Sequence, residues 1–170
     1  LNVSPVHFEQ PQVFIHKVWE LINAYKISPS LLTFEITEST YVNNREAVNQ
    51  VIRSFRQHQI RISMDDFGSG YSSLNTLKDL LFDEVKIDRK FLGDSLTESA
   101  RIVLQEIFHM LKRMNKRIVC EGVETQEIAD FLKEEGCSEI QGFLYYRPMC
   151  CEDFEKLMQK KYSPPETGIY

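Results

Sequence analysis

The chain has no apolar run approaching the roughly 20 residues of a membrane-spanning helix, and no charged-then-apolar leader opens it. A soluble, cytoplasmic segment without membrane contact is expected. Positive charge is also short: 20 Lys and Arg stand against 25 Asp and Glu, a formal net charge of −5. No global basic surface can draw in DNA or anionic lipid, so a phosphate-bearing ligand must be held locally, by a metal or a few placed groups. Cysteine is scarce. Cys120, Cys137, Cys150 and Cys151 form no CxxC pair and no finger spacing with His7, His16, His58 or His109, which excludes a zinc module and predicts reduced thiols, with Cys120 buried in a strand. No GxGxxG or GxxxxGKS loop offers a phosphate cradle at a helix start, and no low-complexity segment or internal linker divides the chain.

What is present is ordinary core material. A hydrophobic share of 42%, a charged share of 26%, 11 Phe and 7 Tyr in 170 residues suit one folded domain. Short β-rich runs alternate with stretches of helical spacing, predicting strands at 1–4, 32–36, 60–64, 84–87, 117–120 and 139–143. Helices are predicted at 13–25, 44–58, 74–81, 99–114, 126–135 and 151–160, followed by an irregular tail. The clearest is 44–58, where Ala47, Val48, Val51, Ile52 and Phe55 share a face. Strands joined by single helices imply a parallel sheet, open or closed into a barrel.

The ionisable residues fall at the strand ends. Asn2 lies in the first strand, Glu35 closes the second, Asp65 and Asp66 follow the third, Lys86 closes the fourth, Glu121 follows the fifth and Gln141 lies in the sixth. In parallel α/β folds this edge is the functional face. One such carboxylate means little, since Asp and Glu often cap the next helix; six strands in a row argue for one pocket. Glu35, between Phe34 and Ile36, needs a metal or Lys partner if buried. Asp65 and Asp66 repel unless a cation lies between them. Lys86 reads either as an inward cation over an anionic site or as a charge on an exposed edge. Glu38 reads as a ligand, a helix cap or an anchor for a loop. Gly68-Ser69-Gly70 adds a pliable loop that could close over a ligand. Oxygen donors without His or Cys favour Mg²⁺ or Mn²⁺. Two such ions sharing an Asp, about 3.5–4 Å apart, would activate water against a phosphodiester.

Five ordered motifs carry a resemblance: Glu35-Ile36-Thr37-Glu38-Ser39, Asp65-Asp66-Phe67-Gly68-Ser69-Gly70-Tyr71-Ser72-Ser73-Leu74, Lys86-Ile87-Asp88, Glu121-Gly122-Val123-Glu124-Thr125 and Gln141-Gly142-Phe143. Together with Asn2-Val3-Ser4 they resemble the EAL domain of bacterial cyclic-di-GMP phosphodiesterases. The resemblance implies an α/β fold, a (β/α)₈ TIM-like barrel with one antiparallel strand, N-terminally incomplete here and spanning residues 1–161, with 162–170 as tail. It implies hydrolysis of cyclic di-GMP to linear pGpG at a two-metal Mg²⁺ or Mn²⁺ site, with Ca²⁺ inhibitory. Asn2, Glu35 and Asp65 resemble ligands of one ion, and Asp65, Asp66 and Glu121 approach the second. Lys86 resembles the group that positions water and stabilises phosphate charge; Glu121 doubles as a base. Glu38 resembles the residue that orders the 66–74 loop, and Glu124 and Gln141 resemble substrate-facing groups. A homodimer through this domain and further signalling domains in a longer parent protein are also implied.

The Glu-Ala-Leu strand that names the family is absent from the 170 residues. With a start at Leu1 rather than Met, the chain reads as the catalytic portion of a longer enzyme and is expected to be inactive alone. Two other readings compete: a catalytically silent cyclic-di-GMP-binding or protein-interaction module, and another Mg²⁺-dependent barrel, such as a lyase, using Lys86 as base.

Overall fold

The computed structural model describes residues 1–68, 81–93 and 96–162, with only the backbone at 160–162. Within them five strands, β1 (Thr33–Thr37), β2 (Arg61–Phe67), β3 (Glu84–Ile87), β4 (Arg117–Cys120) and β5 (Glu139–Ile140), pair in sequence order. Every pairing is parallel. The antiparallel strand implied by the resemblance is not among the described strands. The helices are α1 (Pro11–Tyr25), α2 (Glu38–Asn43), α3 (Arg45–Arg56), α4 (Arg89–Leu92), α5 (Glu98–Arg113), α6 (Gln126–Glu134) and α7 (Cys151–Tyr162). Residues 74–80 of the predicted helix at 74–81 and the tail beyond Tyr162 lie outside the described residues.

Alternation along the strands sorts the side chains onto two faces. Phe34, Ile36, Ile62, Met64, Val85, Ile87, Ile118 and Cys120 belong to one buried apolar cluster, and α3 packs on β2 and α5 on β4. The other face carries Glu35, Ser63, Asp65, Glu84 and Lys86, a polar set where TIM barrels usually stack aliphatic side chains. The chain is thus an arc of a TIM-like barrel, apolar outside against its helices and polar inside. Strong caps set several helix starts: Thr37, Asp88, Thr97 and Thr125 each accept a backbone N–H of the following turn.

Two predicted strands shorten. Residues 1–4 contribute only a bridge, Asn2 to Glu35, with Val3 N–H donating to the Glu35 carbonyl at 2.9 Å. The last strand ends at Ile140 instead of running to 143. Gly142 is the reason: a Cβ there would stand 2.1 Å from the Val123 carbonyl oxygen, so the chain turns onto that backbone.

Candidate active site

Lys86 stands at the centre of the polar face. Its Nζ lies 2.8 Å from Glu121 Oε1, 3.2 Å from Asp65 Oδ1 and 3.2 Å from Glu35 Oε1. These carboxylates come from three different strands or the residue directly after one, and register brings them together: Thr37 pairs with Asp65, Lys86 with Val119, and Glu121 N–H donates to the Ile87 carbonyl at 3.1 Å. Lys86 is 6% exposed.

Three carboxylates around one ammonium leave surplus negative charge. Burial pulls the Lys86 pKa down, but the hydrogen bond and charge of Glu121, with the charges of Asp65 and Glu35, outweigh it and raise the pKa. Burial raises Glu121 too; the Lys86 contact opposes this, while Asp65 and Glu35 add to it. The charges of Asp65 and Glu35 contribute to both shifts, in Glu121 behind the larger effect of burial. The ammonium stays charged through neutral pH, which is the wrong state for a general base and weakens the lyase reading.

Asp65 and Asp66 sit at a β-bulge. Met64 pairs with Val85 and Phe67 with Ile87, so β2 has one residue more than β3 in this interval. Asp66 absorbs it with φ +56, a conformation Asp tolerates better than most residues. Its N–H donates to Asp65 Oδ1 at 3.0 Å. Burial raises the Asp66 pKa, followed by the charge of Asp65 and by Asp88. Burial and the neighbouring carboxylates together make Asp66 a place where a cation would be favourable, beyond the small opposing charge of Lys90. With oxygen-only donors beside it, that place fits a hard divalent ion, although no group of three His, Cys, Asp or Glu is closed into a cage among the described residues.

The remaining predicted residues lie around this centre. Asn2 is bridged to Glu35 through the backbone and is exposed. Glu38 is 1% exposed and its Oε2 accepts Gly68 N–H at 3.0 Å, which ties α2 to the end of β2. Residues 69–74 lie outside the described residues. Glu124 does not reach Lys86; it pairs with Arg89 at 2.6 Å on the half-exposed rim. Gln141 donates its N–H to Cys120 and accepts that of Val123, and it lines a polar cavity of about 190 Å³ together with Glu35 and Lys86. The larger cavity, about 730 Å³, is apolar, is walled by residues of 1–34 such as Val13, Phe14 and Leu21, and does not include Lys86.

Sequence reasoning did not find Arg89, whose side chain packs where a Cβ on Gly122 would fall. Nor did it find Ser63, fully buried on the polar face with an unpaired hydroxyl among the described residues. The positive φ required after Glu121 (+66 at Gly122) was the one available signal for the first.

The family model of the EAL domain matches residues 1–148. The chain belongs to the EAL domain family. The bifunctional diguanylate cyclase/cyclic di-GMP phosphodiesterase MucR of Pseudomonas aeruginosa is 36% identical over 153 residues, 89% of this chain and 22% of its own length. The chain spans about a fifth of the length of the curated relatives it matches. The PaMucR phosphodiesterase in complex with c-di-GMP superposes with a TM-score of 0.82 at 35% identity, covering 90% of this chain and 62% of that one. BlrP1 of Klebsiella pneumoniae, solved with c-di-GMP and calcium, gives 0.79 at 25% identity over 86% and 38%. It has also been solved with manganese.

Proposed function

We propose that this chain is the catalytic portion of a cytoplasmic, multidomain signalling protein that hydrolyses cyclic di-GMP to linear pGpG with Mg²⁺ or Mn²⁺. The observation that carries the reading is the buried Lys86 ammonium held by Glu35, Asp65 and Glu121. Relatives that act on or bind c-di-GMP support it, as do the calcium and manganese complexes of BlrP1.

Asn2, Glu35 and Asp65 would hold one ion, and Asp65, Asp66 and Glu121 the second. Bound there, the ions supply Lewis acidity at the phosphate and a nucleophile at neutral pH. The side chains do the rest. Lys86, permanently charged, orients the attacking water and neutralises charge growing on the phosphoryl oxygens. Glu121, hydrogen-bonded to Lys86 and raised in pKa, takes the proton the water gives up. Glu38 fixes Gly68 and so orders the start of the 66–74 loop. Gln141 and Glu124 face the substrate, and two such domains pair as a homodimer.

The test is turnover by the full-length protein, read as pGpG by chromatography. Activity with Mg²⁺ or Mn²⁺, none after chelation, and inhibition by Ca²⁺ through its longer, looser coordination are the expected results. Binding of cyclic di-GMP without turnover would instead establish the silent module, and full activity after exhaustive chelation would overturn the metal assignment.

A further inference from the structure

The carboxylates to which the proposed function gives the metal ions already hold a cation. Lys86 Nζ lies 2.8 Å from Glu121 Oε1 and 3.2 Å from both Asp65 Oδ1 and Glu35 Oε1. An ammonium has three N–H donors, and here there is one carboxylate for each. The Lys86 side chain is also more deeply buried than any of its three partners, so the ammonium lies within the cluster and not at its mouth. Asp65 Oδ1 is engaged twice: it accepts the Asp66 N–H at 3.0 Å and faces the ammonium at 3.2 Å. A divalent ion approaching these oxygens to about 2.0–2.6 Å needs the lone pairs that the ammonium now faces. Two cations cannot share them in contact without strong repulsion. The backbone of Lys86 is fixed in β3, between β2 and β4. Its four-carbon stem is not so confined, because it borders the polar cavity of about 190 Å³ together with Glu84 and Gln141.

We propose that the Lys86 ammonium is an internal stand-in for a divalent cation, filling the cluster of Glu35, Asp65 and Glu121 until it is exchanged for the ions. Lys86 and the ions then compete for the same oxygens. The ammonium keeps three buried carboxylates neutralised before loading, which limits the cost of placing them side by side. On exchange it gives up these contacts and becomes available to the phosphate, so one event both assembles the ion site and frees the charge that acts on the substrate. By linkage, whatever holds the ammonium outside the cluster, a phosphate included, tightens metal binding. The inference rests on the metal assignment made under the phosphodiesterase reading, but its test needs no turnover.

The full-length protein, stripped with EDTA, is titrated with Mn²⁺ alone while the paramagnetic resonance of the free ion is followed. Lys86→Met should bind Mn²⁺ at least about tenfold more tightly than wild type, since no ammonium has to be displaced. Lys133→Met, which removes an exposed charge paired with Asp130, should match wild type. Wild-type crystals grown in EDTA and then soaked in Mn²⁺ give a second reading that no variant can spoil by failing to fold. Lys86 Nζ should lie within about 4 Å of all three carboxylates before soaking and of at most one afterwards. Equal Mn²⁺ affinity in wild type and Lys86→Met, or an ammonium that keeps two or more carboxylates with Mn²⁺ bound, overturns the proposal and leaves the phosphodiesterase reading to its own assay. Tighter binding in Lys86→Met and a displaced ammonium in wild type, without turnover of cyclic di-GMP, uphold the proposal and overturn the catalytic reading. Absence of Mn²⁺ binding from both proteins overturns the proposal together with the metal assignment.

Discussion

At the scale of single residues, the ammonium of Lys86 is, among the described residues, the charge that opposes three carboxylates, and its removal has two readable consequences. Lys86→Met leaves Glu35, Asp65 and Glu121 facing one another. The loss should be on the order of 2 kcal/mol, below the ~3–5 of a fully buried broken pair, because the carboxylates keep some solvent contact. The sign of the pH dependence follows: protonation relieves the repulsion, so the gap to wild type should shrink as pH falls through the carboxylate range, beginning with Glu121, whose pKa is already raised. Denaturant melts of both proteins at about pH 7 and about pH 4 check this. In the full-length protein Lys86→Arg should still bind cyclic di-GMP in Ca²⁺ but lose most turnover, since guanidinium keeps the charge and changes its shape. Lys86→Met should weaken binding as well, and wild-type affinity in that variant would remove Lys86 from the phosphate. Glu35→Ala and Asp65→Ala should each abolish turnover. Asp88→Ala should cost about 1 kcal/mol of stability through the lost cap on α4, with the smaller effect on rate, because Asp88 touches Asp66 and the Lys90 N–H but not Lys86.

At the scale of elements, Gly142 is the position to test. Its missing Cβ would collide with Val123 backbone, which cannot rotate away, so Gly142→Ala should cost more than about 2 kcal/mol in a thermal or denaturant melt. Near-wild-type stability there would mean that the turn after β5 is wrongly placed. The elements also show which features were legible before any coordinates. β3 and β4 match their predicted spans to the residue, because a short apolar run ending in a charge has no helical alternative of comparable burial. The helix predicted at 44–58 appears as Arg45–Arg56 with its apolar face buried as read. α2 was not legible: Ser39, Thr40, Tyr41 and Val42 are poor helix formers, and the Thr37 cap, the packing of Tyr41 into the core and the bond of Glu38 to Gly68 hold that turn. Glu35, Asp65, Lys86 and Glu121 could be read as one cluster because each lies on or directly after one of four successive strands, at positions that parallel register brings side by side. Glu124 pairs with Arg89 instead, a contact across 35 residues that no local pattern encodes.

At the scale of the whole molecule, the arc leaves apolar surface uncovered. Leu1, Val6, Val13 and Leu21 are exposed around the 730 Å³ cavity, and Leu31, Phe143, Tyr146 and Phe154 are exposed as well. The 170-residue chain on its own should therefore associate in gel filtration and lack phosphodiesterase activity. A monomer with normal turnover would contradict this expectation. The order of the strands has another consequence, in time instead of space. Each described strand pairs with the one preceding it in sequence, from β1 through β5. A ribosome releasing this chain would hand every new strand to a template already made, so the sheet can grow as it is synthesised, without waiting for a distant partner. The last addition is the weakest, since β5 offers only two pairs to β4. Its amides should be the last of the sheet to gain protection during folding and the first to exchange with deuterium in the native state.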